Sequence, residues 1–340
     1  MNFIYLCIMG VINIKKNTGV PKYKQIIESI EDAIISGDLK KGDQLPSINN
    51  IRDVHKLSRD TVLTAFNELK ARGIIQSIVG KGYYVLNDSI DVSQKVFLLF
   101  DELNSFKEDL YNSFISNLNS NIRVDIYFHH FNEDIFSKLI YENIGLYNYY
   151  VIMPANLKNT ELVIEKLPKE KVYILDQTHP ELSQYAAIYQ NFEKDIFTNL
   201  TEALHLIQNY DTIILHFSED NQPLGMRKGF VKFCKANGLK YEVIKSLKDR
   251  VISKGEVYVI PDDKNLLRII KGMKSKDYTL SKDVGIISYN DTLLKEIVEG
   301  GITTISTDFN HMGERLAQMI LNNEHLQIEN INTLILRNSL

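Results

Sequence analysis

Two cysteines in 340 residues, Cys7 and Cys234, stand too far apart to make a spaced metal or disulfide motif. That scarcity points to a reducing, cytoplasmic setting. No stretch reaches the roughly 18 apolar residues of a membrane span, so no membrane partner is expected. The apolar run "FIYLCIMGVI", Phe3 to Ile12, has no positive residue before it and no small-residue cleavage site after it. It reads as a loosely packed arm, or as sequence upstream of a true start at Met9. Also missing are a Gly-x-x-x-x-Gly-Lys-Ser/Thr phosphate loop, a dinucleotide Gly-x-Gly-x-x-Gly after the first strand of the α/β region, and a Gly-x-Ser-x-Gly nucleophile turn. His129-His130 ends a strand with no third ligand near it in sequence. Neither a metal nor a cofactor is therefore expected.

What is present is ordinary globular material: 44% hydrophobic and 24% charged residues, in a chain long enough for about two domains. The net charge of -4 hides an asymmetry. Lys15 to Leu86 carries 12 Lys+Arg against 8 Asp+Glu, and the rest 27 against 35. A basic head on an acidic body suggests that only the head meets a polyanion.

In the head, Pro21 precedes an apolar stripe at helical spacing, Tyr23, Ile26, Ile27, Ile30 and Ile34, that Gly37 ends. Ser47 caps a second helix, Ile48 to about His55, with Ile48, Ile51 and Val54 expected to face inward. A third helix follows in "LSRDTVLTAFNELKARGII". Its core face is Val62, Ala65, Phe66 and Leu69, and its front end is Ser58, Arg59 and Thr61. "IIQSIVGKGYYVL" then reads as a hairpin with a basic Gly80-Lys81-Gly82 tip. Three helices and a hairpin in this order make a winged helix-turn-helix. The front of the second helix of that motif meets base edges and phosphates. Arg59 can fork onto a guanine edge or a phosphate, and Ser58 and Thr61 can bond phosphate oxygens. The glycine-flanked Lys81 lets backbone and charge approach the sugar-phosphate chain closely.

Across Val20 to Val85 these motifs ("YKQIIESIEDAIISGDLKKGDQLPS", "LSRDTVLTAFNELKARGII", "GKGYYV") resemble the GntR family of bacterial transcription regulators. The resemblance implies DNA contacts by Ser47, Arg59, Thr61 and Gly80, to which the residue reading adds Asn49, Ser58, Lys81 and Gly82. Two positions depart from the family pattern: Asn49 stands where an arginine is common, and Leu63 where a basic residue often lies. The operator sequence is therefore not transferable from other members.

Beyond a short polar linker at 88–94, apolar strands such as "KVFLLF", "KVYILD" and "DTIILHFS" alternate with helices to the end. That pattern means parallel strands covered on both faces, and their number is enough for two doubly wound α/β halves with a cleft between them. Ligands of open α/β sheets bind beyond the carboxyl ends of the strands. The residues found there are polar: Asp101, Asp176, Gln190-Asn191, Asp262-Asp263 and Asn290-Asp291. Carboxylates and amides beside aromatic rings suit a polyhydroxylated ligand. The expected division is an arm at 1–19, a DNA-binding head at 20–87, the linker, and an effector-binding and dimerisation body at 95–340.

The body resembles the effector domain of lactose-repressor-type regulators, themselves similar to periplasmic sugar-binding proteins. The carrying motifs are "GMRKGF", "YVIPDDKNLLRIIKGM", "DVGIISYNDTLL" and "TTISTDFNHMGERLAQMIL". The resemblance implies effector contacts by Asp176, Arg227, Asp262, Asn290 and Asp291. Tyr189 or Phe192 would stack on a sugar ring, with Asn191 beside them and Phe106 a looser candidate. A GntR head on such a body resembles arabinose-repressor-type chimeras. It implies a homodimeric repressor of a carbohydrate-utilisation operon, holding double-stranded operator DNA and modulated by a monosaccharide such as a pentose or deoxyhexose. The competing reading is an enzyme whose α/β body turns over a sugar or nucleotide. Against it stand the missing motifs, and a body of about 250 residues is too short for the aminotransferase-like body of some GntR relatives.

Overall fold

The computed structural model describes residues 11–15, 20–87, 94–219 and 222–340. In the head, helices α1 (Lys22–Ile35), α2 (Ile48–His55) and α3 (Arg59–Ala71) pack with the antiparallel hairpin β1 (Ile75–Ile78) and β2 (Gly82–Val85). The apolar stripe of α1 meets Val62, Ala65, Phe66 and Leu69 of α3 in one cluster, which also takes in Ile12. Within α2 only Ile51 is buried, while Val54, expected inside, is 49% exposed. The eight-residue helix turns just one narrow stripe to the core, and Val54 lies off it. Lys56, at φ 54, makes the tight turn between α2 and α3 in the left-handed region.

The body consists of two sheets of six strands each. The first lobe holds β3 (Gln94–Phe100), α4 (Ser105–Ser116), β4 (Ile122–Phe128), α5 (Glu133–Asn143), β5 (Tyr149–Ile152), α6 (Thr160–Ile164), β6 (Val172–Asp176) and β7 (Ala186–Tyr189). The second holds α7 (Phe192–Glu202), α8 (Leu204–Ile207), β8 (Thr212–His216), α9 (Leu224–Ala236), β9 (Tyr241–Ile244), β10 (Glu256–Ile260), α10 (Asp263–Lys274), β11 (Val284–Tyr289), α11 (Leu293–Ile297) and β12 (Thr303–Thr307). The chain then returns to the first lobe for α12 (Phe309–Leu321) and β13 (Gln327–Glu329), and ends in the second with β14 (Asn332–Ile335). Strand orders are β13-β7-β6-β5-β3-β4 and β14-β12-β11-β10-β8-β9. Every neighbour in these sheets is parallel except β14 on β12.

The chain therefore passes between lobes three times, after β7, after β12 and after β13. Two further differences from the sequence reading are local. The helix expected from Phe192 to Gln208 is broken at Ala203, and the last two strands are too short and too mixed in polarity to show an alternation. The expected linker lies outside the described residues but for Gln94, which opens β3. Most of the expected arm, 1–10 and 16–19, also lies outside them.

Each lobe is closed by one helix pair whose axes approach through a glycine. Gly313 of α12 sits where an added Cβ would lie 2.4 Å from the Leu110 carbonyl of α4. Gly229 of α9 sits where it would lie 2.3 Å from the Glu193 carbonyl and 2.4 Å from Ile196 of α7. Backbone cannot yield as a side-chain tip can, so the helices would be forced apart. Gly229→Ala and Gly313→Ala should each cost about 1–3 kcal/mol of stability, read from denaturant midpoints. Both glycines lie in helices at ordinary φ, where alanine alone would favour the helix by about 0.5–1 kcal/mol, so a loss of stability at either position reports the clash.

Candidate functional site

The head offers one surface. Ser58 caps α3 by accepting from the Thr61 amide at 3.1 Å, and its hydroxyl lies 2.8 Å from that of Thr61. Capping places Arg59 at the first helical position, exposed and without an ion pair among the described residues. Ser47 caps α2 through the Asn50 amide at 3.1 Å, leaving Asn49 exposed beside it. On the hairpin, Gly80 and Gly82 have φ of +75° and +108°, and the Gln44 amide holds the Lys81 carbonyl at 2.7 Å. Val79, at the same tip, is 98% exposed. It was not among the expected contacts, because its apolar character reads as strand core. All eight expected head residues are thus exposed or half-exposed, on loop ends and helix starts.

The body has a cleft of about 500 Å³ at the joint of its lobes, lined by residues that follow β3, β6, β7, β8, β10 and β11. At its floor the Lys107 ammonium, from the first turn of α4, is ion-paired with Asp101 and lies 3.6 Å from Asp176. Burial pulls its pKa down, but the two carboxylates outweigh that and hold it above the ordinary lysine range. Burial raises the Asp176 carboxyl despite Lys107. Opposite, the buried Lys295 ammonium donates to the Tyr289 and Asn290 carbonyls, both at 2.7 Å, and lies 3.2 Å from Asp263. Burial lowers its pKa, partly offset by Asp263. Phe106 stacks on Phe309 at 5.0 Å, and Phe192 lies 6.4 Å from Tyr289, giving the cleft two aromatic walls.

Three lining residues, Phe131, Asp176 and Asn290, have φ of 56°, 71° and 59°. Such backbone costs of order 1–3 kcal/mol per non-glycine residue and gathers where a site must be pre-shaped. The Asn290 side-chain oxygen is buried with no partner, a hydrogen-bond acceptor left open at the cleft. Asp262 caps α10, accepting from the Asn265 amide at 2.9 Å, and lies 3.4 Å from His216, whose pKa burial lowers.

Of the expected effector residues, Phe106, Asp176, Phe192, Asp262 and Asn290 line this cleft. Four lie elsewhere. Arg227 is half-exposed and turned onto Glu219 at 2.9 Å, because it sits on the outer face of α9 while the motif's glycine, Gly229, is the residue that packs. Asp291 is held bidentately by Arg337 at 2.7 Å, and Thr292 rather than Asp291 caps α11. Asn191 caps α7 and donates to Glu329 at 3.0 Å. Tyr189 packs at the edge of a first-lobe core cluster. Lys107, His216, Asn265 and Lys295 were not foreseen. Helical register places Lys107 in the first turn of α4, but nothing local in the sequence shows that it bends back to Asp101.

The floor of the cleft runs on into the joint. Asp176 accepts from the Gln190 amide, Gln190 accepts from the Thr307 hydroxyl, and that hydroxyl accepts from Asn332 at 2.9 Å. Asn332 in turn accepts from Asn199 of α7 at 2.8 Å. Gln190, Thr307 and Asn332 flank the three passages between lobes.

The comparisons with known proteins divide the chain in the same way. Residues 22–85 match the family described as bacterial regulatory proteins, gntR family. The transcriptional repressor YtrA of Bacillus subtilis is 30% identical over 100 residues, 29% of this chain and 73% of that protein. The chain belongs to the GntR family. The transcriptional regulator YdfD of Bacillus subtilis is 37% identical over 75 residues, 22% of this chain but only 16% of YdfD. An arabinose metabolism transcriptional repressor of Geobacillus stearothermophilus is 37% identical over 70 residues, 21% of this chain and 19% of its own. The body has the fold of LacI-family regulators. A ribose-bound one from Enterococcus faecium aligns over 72% of this chain and 98% of its own, with a TM-score of 0.59 and 15% identity. Among the described residues no helix is long and apolar enough to cross a membrane.

One buried carboxyl beside the joint titrates unusually. Asp195 of α7 has an oxygen with no partner; burial, then the nearby Glu329, raises its pKa to about 7. A carboxyl whose folded pKa exceeds its unfolded one stabilises the fold most below the unfolded value, about 3.9. That stability is lost as pH rises through the folded value. Asp195→Asn should therefore melt above the parent at pH 8, with the difference shrinking as pH falls below 7 and gone near 4. Thermal melts across that range decide it.

Proposed function

We propose that this protein is a homodimeric repressor of a carbohydrate-utilisation operon, whose grip on operator DNA is set by a monosaccharide in the interlobe cleft. The observation that carries the reading is that cleft: carboxylates, amides and stacked rings at a three-passage joint, in a chain whose head belongs to a DNA-binding family. A volume of about 500 Å³ falls in the range of small-molecule sites. Aromatic walls suit the C–H faces of a sugar and the polar groups its hydroxyls. The arabinose repressor and the ribose-bound regulator support a pentose, and a deoxyhexose has the same chemistry.

In the head, Ser47, Asn49, Ser58 and Thr61 bond phosphate or base edge, Arg59 reads a base or phosphate, and the Gly80-Lys81-Gly82 tip tracks the backbone. Two heads on one dimer match a pseudo-palindromic operator. Sugar that favours one lobe arrangement changes operator affinity by its differential affinity for the two arrangements, typically 1–3 kcal/mol.

Arg59→Ala should weaken binding to promoter DNA of the protein's own locus by about 1–3 kcal/mol while leaving sugar-dependent thermal stabilisation unchanged. Arg227→Ala should leave both unchanged, and Asp262→Ala should abolish the sugar's effect on DNA affinity. Salt-dependent DNA titrations with and without each sugar of a monosaccharide panel are the measurement. Promoter binding that no sugar alters would refute the reading.

A further inference from the structure

We infer that the cleft takes a ligand carrying no anionic group, a free sugar rather than a sugar phosphate or a sugar acid. This rests on the carbohydrate reading above and narrows it. The cleft is lined by five carboxylates, Asp101, Glu102, Asp176, Asp262 and Asp263, against two ammonium groups and no arginine. Both ammonium groups are already engaged. Lys107 is shared between Asp101 and Asp176, so that floor is neutral or negative whichever of them holds a proton. Lys295 donates to two carbonyls and faces Asp263, and its three protons leave nothing for a ligand. Burial lowers the pKa of His216 although Asp262, 3.4 Å away, opposes that, and its Nε2 is taken up by the Asn265 amide at 3.3 Å.

Helix starts, the other common anion holders, are mostly closed. Asn104, Asp262 and Thr292 cap α4, α10 and α11 with their own side chains. Helix α9 opens behind Pro223 without a side-chain cap, but neither cation of its first turns lines the cleft: Arg227 is turned outward onto Glu219, and Lys228 lies with it on the outer face. An entering phosphate or carboxylate would lose its hydration, meet net negative charge and find no free cation, whereas hydroxyls can donate to the carboxylates and to the open Asn290 oxygen.

The test uses the full chain in thermal-shift and calorimetric titrations. The probes are ribose, arabinose, xylose, fucose, glucose and mannose, each beside its phosphate ester, and glucuronic and galacturonic acid. At least one free sugar should bind, with its phosphate ester at least tenfold weaker and neither acid stabilising the fold. Glu102→Lys, a change at the exposed rim, should narrow that gap by strengthening the anionic member. An anionic member that binds as tightly as or tighter than its parent sugar overturns the inference and leaves the carbohydrate reading standing. Binding by no member of either kind overturns both.

Discussion

A single ammonium group, that of Lys107, lets the cleft exist in its present form. Asp101 follows β3 and Asp176 ends β6, two carboxylates at 5% exposure that would repel each other across the floor of the site. The desolvation penalty is several kcal/mol per buried ion, recovered only when geometry and added hydrogen bonds are good. Lys107 supplies both, and its position follows from the start of α4, where Asn104 accepts from the Lys107 amide at 3.1 Å. The cap that begins the helix therefore also sets the charge that neutralises the floor. Removing that ammonium would leave two buried acids to share a proton.

Because Asp176 also accepts from Gln190, the same charge cluster is tied to the joint. The side-chain chain through Gln190, Thr307, Asn332 and Asn199 touches the segments beside all three passages between lobes. A ligand oxygen that competes for Asp176 thus competes with the joint's own hydrogen bond. In the low dielectric of that interior a half-satisfied network is costly, so its members rearrange together or not at all.

The head was legible in the sequence because its determinants are local. Caps at Ser47 and Ser58, the stripe of α3 and the glycines of the hairpin each act within a few residues. Val54 misled because an apolar residue at helical spacing need not be covered when the helix is only eight residues long. In the body, the rule that ligands gather beyond strand ends named six residues that line the cleft, Asp101, Asp176, Gln190, Asp262, Asp263 and Asn290. Side-chain direction was not legible. Asp291 is claimed by Arg337, 46 residues on in a segment with no clear strand pattern, and Lys107 and Lys295 bend back onto the strand ends just before them and meet their second carboxylates, Asp176 and Asp263, only across the folded sheets. Around Arg227 the division runs the other way: the glycine of the stretch, Gly229, answers to packing between α7 and α9, and the arginine is left outside on Glu219.

Energetics decide whether so small a set of bonds can serve the proposed function. A net hydrogen bond contributes about 0.5–1.5 kcal/mol, and a coupling of 1–3 kcal/mol alters affinity by 5–150-fold. Exchanging one or two of the joint's bonds is therefore enough, without unfolding any element. The head is positioned to feel it. The Lys171 ammonium, just before β6, holds Glu28 of α1 at 3.0 Å, and Gly145, before β5, lies against Val20 just ahead of that helix. Strand β6 thus has the head's ion pair one residue before its start and Asp176 at its end. A shift along that strand would reach α1 and, through the core cluster that α1 shares with α3, the helix that carries Arg59, and the lever is as short as one buried strand of five residues.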